Sequence, residues 1–433
     1  MIKNLALHFT SEDEINKFQM ERLKETLHFL AEKSPFYQKL FRDHDIDINQ
    51  ITRLSDLSKI PVTTKSDLQT RNKDFICIPK EQIIDYVTTS GTLGEPVTFA
   101  LSDRDLNRLA YNEASSFTMA GCKKGDVIQL MTTIDRRFMA GLAYFLGARE
   151  LGCGIIRVGN GIPELQWDTI NRVSPNVCIV VPSFLMKLIT YAEENGIDYN
   201  NSSLRKAICI GEALRTPNGE YTTLGKKISE KWPNLELYST YASTEMQSSY
   251  TECCDHNGCH IPTDLIIVEM LDENNQPVPD GTPGEVTITT IGVEAMPLLR
   301  FKTGDICIRQ SGKCSCGRFS SRLSSVLGRK GQMIKFKGTT LYPPALFDIL
   351  DNIPEVENYI VEVFTNNLGT DQIQIKIGSK NQSDAFIKQI KDVFRSKVRV
   401  APDICFVPVE LIARQQRPEM SRKVIKFFDL RNN

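Results

Sequence analysis

From about residue 84, short β-rich runs alternate with helical stretches, and this alternation constrains the fold more than any other feature. The runs IIDYVTT, DVIQLMTT, NVCIVV and KAICIG alternate with stretches such as DRDLNRLAYNEASSFTMAG and PSFLMKLITYAEENG. Strands that alternate with helices along a chain are joined by crossover helices, which produces a largely parallel sheet covered by helices. The pattern therefore predicts an α/β domain.

The segments on either side of this alternation predict further parts. Residues before it have helical spacing of apolar positions, and the runs DLIIVEML and GEVTITTI after it predict an added antiparallel sheet or barrel. Beyond LGRKGQ, the runs YIVEVFTN, DQIQIKIG and ICFVPVELI predict strands, and SDAFIKQIKDVFRSK predicts an amphipathic helix. We expect residues 1–330 to form a large domain of layered α/β sheets with an antiparallel part, and residues 331–433 a small α+β domain.

Charge and hydropathy exclude several classes of partner. The chain of 433 residues carries 52 Lys plus Arg and 53 Asp plus Glu, a formal net charge of −1, whereas nucleic-acid binders normally have a basic excess. The N-terminal residues lack the apolar core of a signal peptide, and no stretch reaches the roughly 18 apolar residues of a membrane span. We expect a cytoplasmic protein without nucleic-acid or membrane partners. A homodimer is compatible with this sequence but is not required by it.

Twelve cysteines in a chain without an export signal predict thiols rather than disulfides. Seven are scattered and are interpreted as buried apolar residues, namely Cys77, Cys122, Cys153, Cys178, Cys209, Cys307 and Cys405. The others lie in two short clusters with histidines, namely Cys253, Cys254, His256, Cys259 and His260, then Cys314 and Cys316. Thiolates and imidazoles are the usual ligands of tetrahedral zinc, so the clusters predict a zinc site. Free cysteines on surface loops are the alternative.

A loop rich in hydroxyl groups follows the first β-rich run. Residues 88–95 have the sequence TTSGTLGE, in which hydroxyl side chains stand beside glycines. Backbone N–H and hydroxyl groups in such a loop can surround phosphate oxygens without obstruction by larger side chains. The loop is not a Walker A motif, which needs Gly-Lys-Ser/Thr at the start of a helix. Taken alone, an ordinary Ser/Thr-Gly turn is an equal alternative.

Further motifs follow this loop in a fixed order. They are YASTE at 241–245, FKTGD at 301–305, GR at 328–329 followed by IKFKG at 334–338, and SRKVI at 421–425. The ordered set resembles the core motifs of the adenylate-forming superfamily of acyl-CoA synthetases, luciferases and peptide-synthetase adenylation domains. The resemblance extends from residue 86 to 425. It is greatest to phenylacetate-CoA ligases and coenzyme F390 synthetases, which are similarly short and share the pattern of cysteines and histidines.

This resemblance implies an AMP-forming ligase with a large adenylate-forming domain and a small mobile domain. A carboxylate would attack the α-phosphate of ATP and release pyrophosphate, and the thiol of coenzyme A would then displace AMP. The implied substrates are ATP, CoA and a small carboxylic acid of the aryl or arylacetic class, and Mg²⁺ is the implied cofactor. In-line displacement at phosphorus is catalysed by positioning and by neutralisation of charge.

Roles at the phosphate groups follow from the resemblance. The triphosphate would be held by Thr88, Thr89, Ser90, Gly91 and Thr92. Thr244 would contact the α-phosphate, and Glu245 would hold Mg²⁺ through its carboxylate. Lys423 would approach the reacting carboxylate and α-phosphate as a mobile cation. Thr244, Glu245 and Lys423 are thus the implied catalytic residues.

The resemblance also assigns the nucleoside and acyl ends of the site. Tyr241, with Ala242 and Ser243, would lie along the adenine, and Asp305 would accept hydrogen bonds from both ribose hydroxyls. A further ribose or phosphate contact is assigned to Arg329. The remaining assignments are Gly211, Glu212 and Ala213 in the nucleotide site, and Phe138, Gly211 and Ala213 in the acyl pocket. For Phe138 an ordinary core position is an equal alternative.

The subfamily pattern of cysteines and histidines implies one ligand set. Cys253, His260, Cys314 and Cys316 would hold a structural zinc ion with no open coordination position, and Cys254, His256 and Cys259 are the reserve ligands.

Several residues depart from the family pattern. Leu93 and Glu95 stand where the family loop commonly has Thr and Lys, so weaker ATP binding is expected. The position of the interdomain hinge falls on Gly331 instead of Asp or Lys, and glycine allows a large dihedral change at little steric cost.

Two other functions remain open at this stage. An adenylyltransferase resembling coenzyme F390 synthetase would pass AMP to a hydroxyl group and form no thioester. A non-catalytic adenylate-binding protein is the other, although Glu245, Asp305 and Lys423 together favour an enzyme.

Overall fold

The chain folds into two compact units. The computed structural model describes residues 4–89, 96–337, 339–366, 370–417 and 424–431. One unit ends at Ser325 and the other begins at Val326, slightly before the boundary expected after residue 330. Within the described residues, no helix combines the length and the apolar character needed to cross a membrane.

Helices of the first unit begin mostly at capping residues. Ser102 caps one helix by accepting a hydrogen bond from the backbone of Asp105, whose side chain reaches back to the backbone of Ser102. The α-helices of this unit are α1 (Glu12–Lys33), α2 (Pro35–Asp43), α3 (Lys65–Thr70), α4 (Asp103–Met119), α5 (Met139–Leu151), α6 (Pro163–Val173), α7 (Pro182–Glu194) and α8 (Thr223–Lys231).

A large mixed sheet dominates the first unit. Its strands in chain order are β3 (Val127–Leu130), β4 (Gly154–Arg157), β5 (Val177–Val180), β6 (Lys206–Ile210), β7 (Glu236–Ser243), β8 (Ser248–Glu252), β9 (Cys259–His260), β10 (Ile266–Leu271), β11 (Pro283–Thr290), β12 (Phe301–Gln310) and β13 (Arg322–Leu323). The spatial order is β4-β3-β5-β6-β7-β8-β9-β13-β12-β11-β10. Strands β4 to β7 in this order are parallel, and the remainder pair antiparallel. The predicted parallel and antiparallel parts are therefore both present.

Every residue of β5 is buried, as expected of a central parallel strand covered by helices on both faces. A separate antiparallel hairpin of β1 (Asp85–Thr88) and β2 (Thr98–Leu101) flanks the sequence of the hydroxyl-rich loop. Its register pairs Thr88 with Thr98 at the end nearest that loop. The hairpin therefore positions the first residues of the predicted phosphate loop.

The second unit is an α+β fold. Its strands are β14 (Gly328–Arg329), β15 (Ile334–Phe336), β16 (Thr339–Leu341), β17 (Asn358–Thr365), β18 (Asp371–Gly378), β19 (Asp403–Phe406) and β20 (Phe427–Asp429). Its α-helices are α9 (Pro343–Asp351), α10 (Asp384–Val398) and α11 (Val409–Gln415). A four-stranded sheet has the order β19-β18-β17-β20, and α10 buries Phe386, Ile390 and Phe394 in the core of this unit.

Two parts of the second unit differ from the sequence-based expectation. The predicted strand ICFVPVELI ends at Phe406, and α11 follows it. Pro408 explains the change, because proline has no N–H for a strand ladder and its φ of −52° suits the start of a helix. The sequence predicted no strand after this run, yet β20 follows near the end of the chain and pairs parallel to β17.

The residue expected at the hinge is tied to the second unit. Gly331 lies in a short 3₁₀ turn, Lys330–Gln332, and its carbonyl accepts a hydrogen bond of 3.3 Å from Arg431. Arg431 also donates to the carbonyl of Met333 at 2.7 Å. The end of the chain thus holds this segment against its own unit.

Candidate active site and metal centre

The carboxyl ends of the parallel strands bring several predicted site residues to one edge of the sheet. Ile210, the last residue of β6, pairs with Thr240 of β7, so Gly211 and Tyr241 follow at the same level. The segment after β3 leads at this edge to Phe138, which is half-buried directly before α5. Ligands of open α/β sheets bind in the crevice outside the carboxyl ends of the strands. The edge is therefore the candidate active site.

The connection between β7 and β8 carries Thr244 and Glu245. Both are half-buried in a tight turn, whereas the next two residues, Met246 and Gln247, are completely buried. The hydroxyl of Ser243 accepts a hydrogen bond of 3.3 Å from the backbone of Met246. Among the described residues, none forms a hydrogen bond or ion pair with the Glu245 carboxylate. Its oxygens are thus available to a cation at the turn.

Tyr241 connects the parallel strands to the antiparallel part. Its hydroxyl donates a hydrogen bond of 2.8 Å to Asp305 on β12, and its ring stacks on Tyr250 with centroids 5.5 Å apart. Burial and the neighbouring Asp305 carboxylate hold the pKa of Tyr241 well above its ordinary value, so the phenol remains a donor. The residues assigned to adenine and ribose are therefore in direct contact. Asp305 is itself buried.

The segment Gly211–Ala213 is exposed after β6, and Gly211 has a φ of +77°, which favours glycine. The side chain of Glu212 is engaged by another part of the protein. Its two oxygens accept hydrogen bonds from the backbone N–H and the hydroxyl of Ser183, at 2.9 and 2.8 Å, in the first turn of α7. A carboxylate at a helix N-terminus is stabilised by the unpaired N–H groups and the helix dipole.

Thr88 and Thr89 are buried at the end of β1. The N–H of Thr88 donates to the carbonyl of Arg137 at 3.0 Å, which joins the hairpin to the segment after β3. The N–H of Thr89 donates to the carbonyl of Val97, and its hydroxyl accepts from the N–H of Val97, both at 3.0 Å. These bonds close the base of the predicted phosphate loop at the candidate active site.

Some predicted residues lie elsewhere. Ser90, Gly91 and Thr92, the departures Leu93 and Glu95, and Lys423 lie outside the described residues. Ala242 is exposed and pairs with Ser249 in the ladder of β7 and β8. Arg329 belongs to the second unit, where it is the last residue of β14.

The predicted zinc ligands converge. The ligand atoms of Cys253, His260, Cys314 and Cys316 all lie within 4.8 Å of one another. The sulfurs of Cys253 and Cys314 are 3.7 Å apart, and the sulfur of Cys316 lies 3.5 Å from Nε2 of His260. Zn–S bonds of about 2.3 Å and Zn–N bonds of about 2.0–2.1 Å give tetrahedral edges of about 3.8 Å between sulfurs and about 3.6 Å between sulfur and nitrogen. The cluster has the dimensions of a closed tetrahedral site.

Surrounding groups suit a metal ion. The carbonyl and hydroxyl oxygens of Ser320 lie 3.2 and 2.9 Å from Nδ1 of His260, so Nδ1–H can donate there while Nε2 faces the sulfurs. Burial, assisted by Arg318 and Arg322, lowers the pKa of His260 to about 3, which keeps the imidazole neutral. Burial opposes ionisation of Cys316, but hydrogen bonds from the backbone and side chain of Arg318 lower its pKa below the ordinary value.

The reserve ligands are not part of this cluster. Cys254 is exposed, and the sulfur of Cys259 donates to the carbonyl of Ser239 at 3.6 Å. His256 packs against the ring of Tyr238, and its Nδ1 lies 3.3 Å from Glu252.

Sequence reasoning missed a set of polar residues beneath the candidate site. Helix α4 is buried along most of its length, yet it contains Arg108, Asn112 and Glu113. The hydroxyl of Ser249 on β8 donates to Glu113, and burial raises the pKa of that carboxyl to about 7. The signal was present in the sequence, since polar residues at 108, 112 and 116 recur every fourth position and so share one helix face.

Proteins of similar sequence include two named phenylacetate-coenzyme A ligase. The protein from Thermus thermophilus is 28% identical over 422 residues, covering 96% of this chain and 92% of its own length. That from Escherichia coli is 28% identical over 451 residues, covering 100% and 99%. These relatives support the predicted AMP-forming ligase of acids and CoA, and they do not favour the adenylyltransferase alternative.

The fold also matches solved structures. A 2-hydroxyisobutyryl-CoA ligase has a TM-score of 0.83 at 20% identity and covers 98% of this chain and 91% of its own. An anthranilate CoA ligase has a TM-score of 0.58 at 18% identity, covering 81% and 67% of the two chains. The predicted α/β fold of adenylate-forming enzymes is confirmed.

A family model described as AMP-binding enzyme matches residues 17–295, which is more than half of the chain. The match lies in the first unit and contains both the hairpin β1–β2 and the turn between β7 and β8. It confirms the resemblance to adenylate-forming enzymes given by the sequence motifs. The chain therefore belongs to the family of AMP-binding enzymes.

Proposed function

We propose that the chain ligates an aryl or arylacetic acid to coenzyme A through an acyl-adenylate, releasing pyrophosphate and then AMP. The observation that carries this proposal is the edge of the sheet where Tyr241, bonded to Asp305, and the turn with Thr244 and Glu245 follow one strand. A nucleoside partner on β7 and a cation ligand in the turn directly after this strand suit a nucleoside triphosphate. The names of the phenylacetate-coenzyme A ligases support an arylacetic acid.

In the first step, a carboxylate oxygen of the acid bonds to the α-phosphorus, and the bond to pyrophosphate breaks. Thr244 would donate to the α-phosphate, and Asp305 would accept from the ribose hydroxyls, so the reacting atoms are aligned before the reaction. Mg²⁺ held by Glu245 would neutralise phosphate charge. The carboxylate of Glu245 is half-buried and has no partner in the described segments, which fits a cation that is bound mainly by substrate phosphates. Lys423 would supply a further cation to this step.

In the second step, the sulfur of CoA bonds to the acyl carbon, and AMP leaves with the electrons of the acyl–oxygen bond. Gly211 and Ala213 would line the acyl pocket with Phe138, whose ring suits an aromatic substituent. Because the Glu212 carboxylate is engaged by α7, its contact with the nucleotide would be through the main chain. Arg329 would add its contact from the second unit, whose motion would separate the two steps.

A structural zinc ion completes the proposal. The spacing of Cys253, His260, Cys314 and Cys316 fits four protein ligands, so the ion would stabilise the fold and would not activate water. It would join the end of β8 to β9 and to the loop between β12 and β13. We retain a cytoplasmic location as a prediction, since this zinc site needs reduced thiols and the cytoplasm keeps thiols reduced.

A panel of acids incubated with ATP and CoA tests this function. The panel would include benzoic, phenylacetic and short aliphatic acids, and thioesters would be detected by mass spectrometry. We expect an aromatic acid to give a thioester together with AMP and acid-dependent exchange of pyrophosphate into ATP. Exchange without any thioester would mean that the acyl-adenylate forms but that CoA is not its acceptor. An absence of exchange with every acid would contradict the ligase.

A further inference from the structure

Arg108 is a buried residue that forms a hydrogen bond with the turn that carries Thr244 and Glu245. Its side chain is almost fully enclosed, with 1% of its surface exposed. No carboxylate accepts its hydrogen bonds among the described residues. Its donors go instead to main-chain carbonyls, Nη1 to Gln247 at 2.6 Å, Nε to Ile291 at 2.8 Å and Nη2 to Leu265 at 2.7 Å. Burial of a charged group is costly, and these hydrogen bonds offset part of that cost.

The residue that Arg108 holds has an unfavourable backbone conformation. Gln247 has a φ of +47°, in the left-handed region that non-glycine residues rarely adopt. Its side chain gives no local compensation, because neither polar atom of the buried amide has a hydrogen-bond partner within the described part of the chain. The bond from Arg108 to the Gln247 carbonyl therefore opposes relaxation of the turn toward ordinary dihedral angles.

The arrangement transmits this restraint to the predicted cation ligand. The N–H of Gln247 donates to the carbonyl of Thr244 at 3.3 Å, which closes the turn around Glu245. Arg108 therefore lies under the turn, while Glu245 lies on its more exposed side. A shift of about 1 Å in such a ligand can cost catalysis up to 100-fold.

We propose that Arg108 is a positioning residue that fixes the turn between β7 and β8, so that Glu245 is held where Mg²⁺ bound to ATP requires it. The inference rests on the proposed function only in taking MgATP as the ligand of this turn. Arg108 touches no substrate and acts through the main chain of Gln247.

The test compares ATP affinity with and without Mg²⁺, measured by equilibrium binding to the full chain. In Arg108→Met, we expect the enhancement of affinity by Mg²⁺ to fall about tenfold, while affinity without Mg²⁺ changes less than about twofold. Arg108→Lys, which keeps the charge but has fewer donors, should lie between wild type and Arg108→Met. Arg108→Lys also provides the test if Arg108→Met does not fold.

A second substitution separates positioning from general stability. Glycine adopts positive φ without strain, so Gln247→Gly combined with Arg108→Met should restore the Mg²⁺ enhancement to within about threefold of wild type. Arg104→Met is the matched control, because it makes the same substitution on α4 at an exposed residue that pairs with Glu294 and not with the turn. It should keep the wild-type enhancement.

The outcomes distinguish this inference from the proposed function. Wild-type enhancement in Arg108→Met or Arg108→Lys, or an equal loss in Arg104→Met, would overturn the positioning role. Failure of Gln247→Gly to restore any enhancement would also overturn it. A wild-type chain that binds MgATP but ligates no acid would contradict the ligase alone and leave the role of Arg108 standing.

Discussion

The two ends of strand β8 differ in how fully the protein assembles a site before any ligand binds. At the end of the strand, Cys253 lies with three other candidate ligands, whose ligand atoms are all within 4.8 Å of one another. At the start of the strand, Glu245 is half-exposed and has no partner among the described residues. The candidate metal centre is convergent in the protein alone. The candidate nucleotide site combines one contacting pair, Tyr241 and Asp305, with groups such as Glu245 that a substrate would connect to it.

This difference follows from what each site has to bind. A zinc ion is held by atoms little more than 2 Å away, so its ligands must already be neighbours. A nucleotide spans many ångströms, so its partners can lie on separate strands and need not touch one another. Changes in the metal centre should therefore affect folding, and changes in the nucleotide site should affect turnover.

The largest effect is expected from loss of a metal ligand. Cys253→Ser should remove zinc from the purified protein and lower the free energy of unfolding by about 3 kcal/mol or more, because a bound structural metal contributes to folding. Metal analysis and denaturant unfolding measure both. Cys254→Ser is the matched control, since Cys254 is adjacent but exposed and outside the cluster. A stable, metal-free wild-type protein would contradict the zinc site.

Loss of the ribose partner should have the opposite signature. Asp305→Ala removes the predicted acceptor of both ribose hydroxyls and should lower kcat/KM for ATP by about 100-fold, while zinc content stays unchanged. Pyrophosphate exchange and metal analysis on the same samples make the comparison. Asp280→Ala is the control, since it removes a partly exposed ion pair with Arg309 and should change exchange little. If both aspartate variants were equally active, Asp305 would not bind ribose.

A smaller effect is expected from the contact between Tyr241 and Asp305. Tyr241→Phe keeps the ring that stacks on Tyr250 but removes the hydrogen bond of 2.8 Å to Asp305. We expect KM for ATP to rise about tenfold with little change in kcat, because one hydrogen bond to a charged group is lost. If Tyr241→Phe raised KM for ATP equally in the Asp305→Ala background, the two residues would act independently, contrary to this expectation.

The parts of this molecule that could be predicted from sequence are those encoded by local patterns. Alternating runs predicted β5 and β6 with α7 between them, and the spacing of cysteines, read with the family resemblance, selected the four residues that converge. The strand predicted across Pro408 was wrong because an apolar run can also be the buried side of a helix, as it is in α11.

Long-range contacts could not be predicted in this way. The bond from Arg108 to Gln247 joins residues 139 positions apart, and nothing in the sequence of helix α4 indicates which residue Arg108 will contact. The engagement of Glu212 by Ser183 similarly depends on β5 and β6 being neighbours in the sheet. Such contacts are set by packing of distant elements, and they are also the contacts that position the candidate active site.

Backbone strain offers the finest test of the comparison. In the loop of Cys314 and Cys316, the left-handed positions are Gly312 and Gly317, with φ values of +89° and +90°. At the candidate active site, Arg136 and Arg137 have φ values of +58° and +57°, directly before Phe138. This loop thus has glycine at its left-handed positions, whereas the segment before Phe138 has less favourable residues there, as expected where strain is retained for function.

Arg136→Gly should therefore stabilise the protein slightly. Relief of the left-handed strain is worth about 1–2 kcal/mol, and the greater freedom of glycine in the unfolded chain offsets about 0.5–1 kcal/mol of it. We expect a net gain of about 0.5–1 kcal/mol in denaturant unfolding. Arg136→Ala is the control, because it removes the same exposed side chain and keeps Cβ, so it should give no gain. Equal stability of the two variants would mean that the backbone at Arg136 is unstrained, and the two sites would then not differ in this respect.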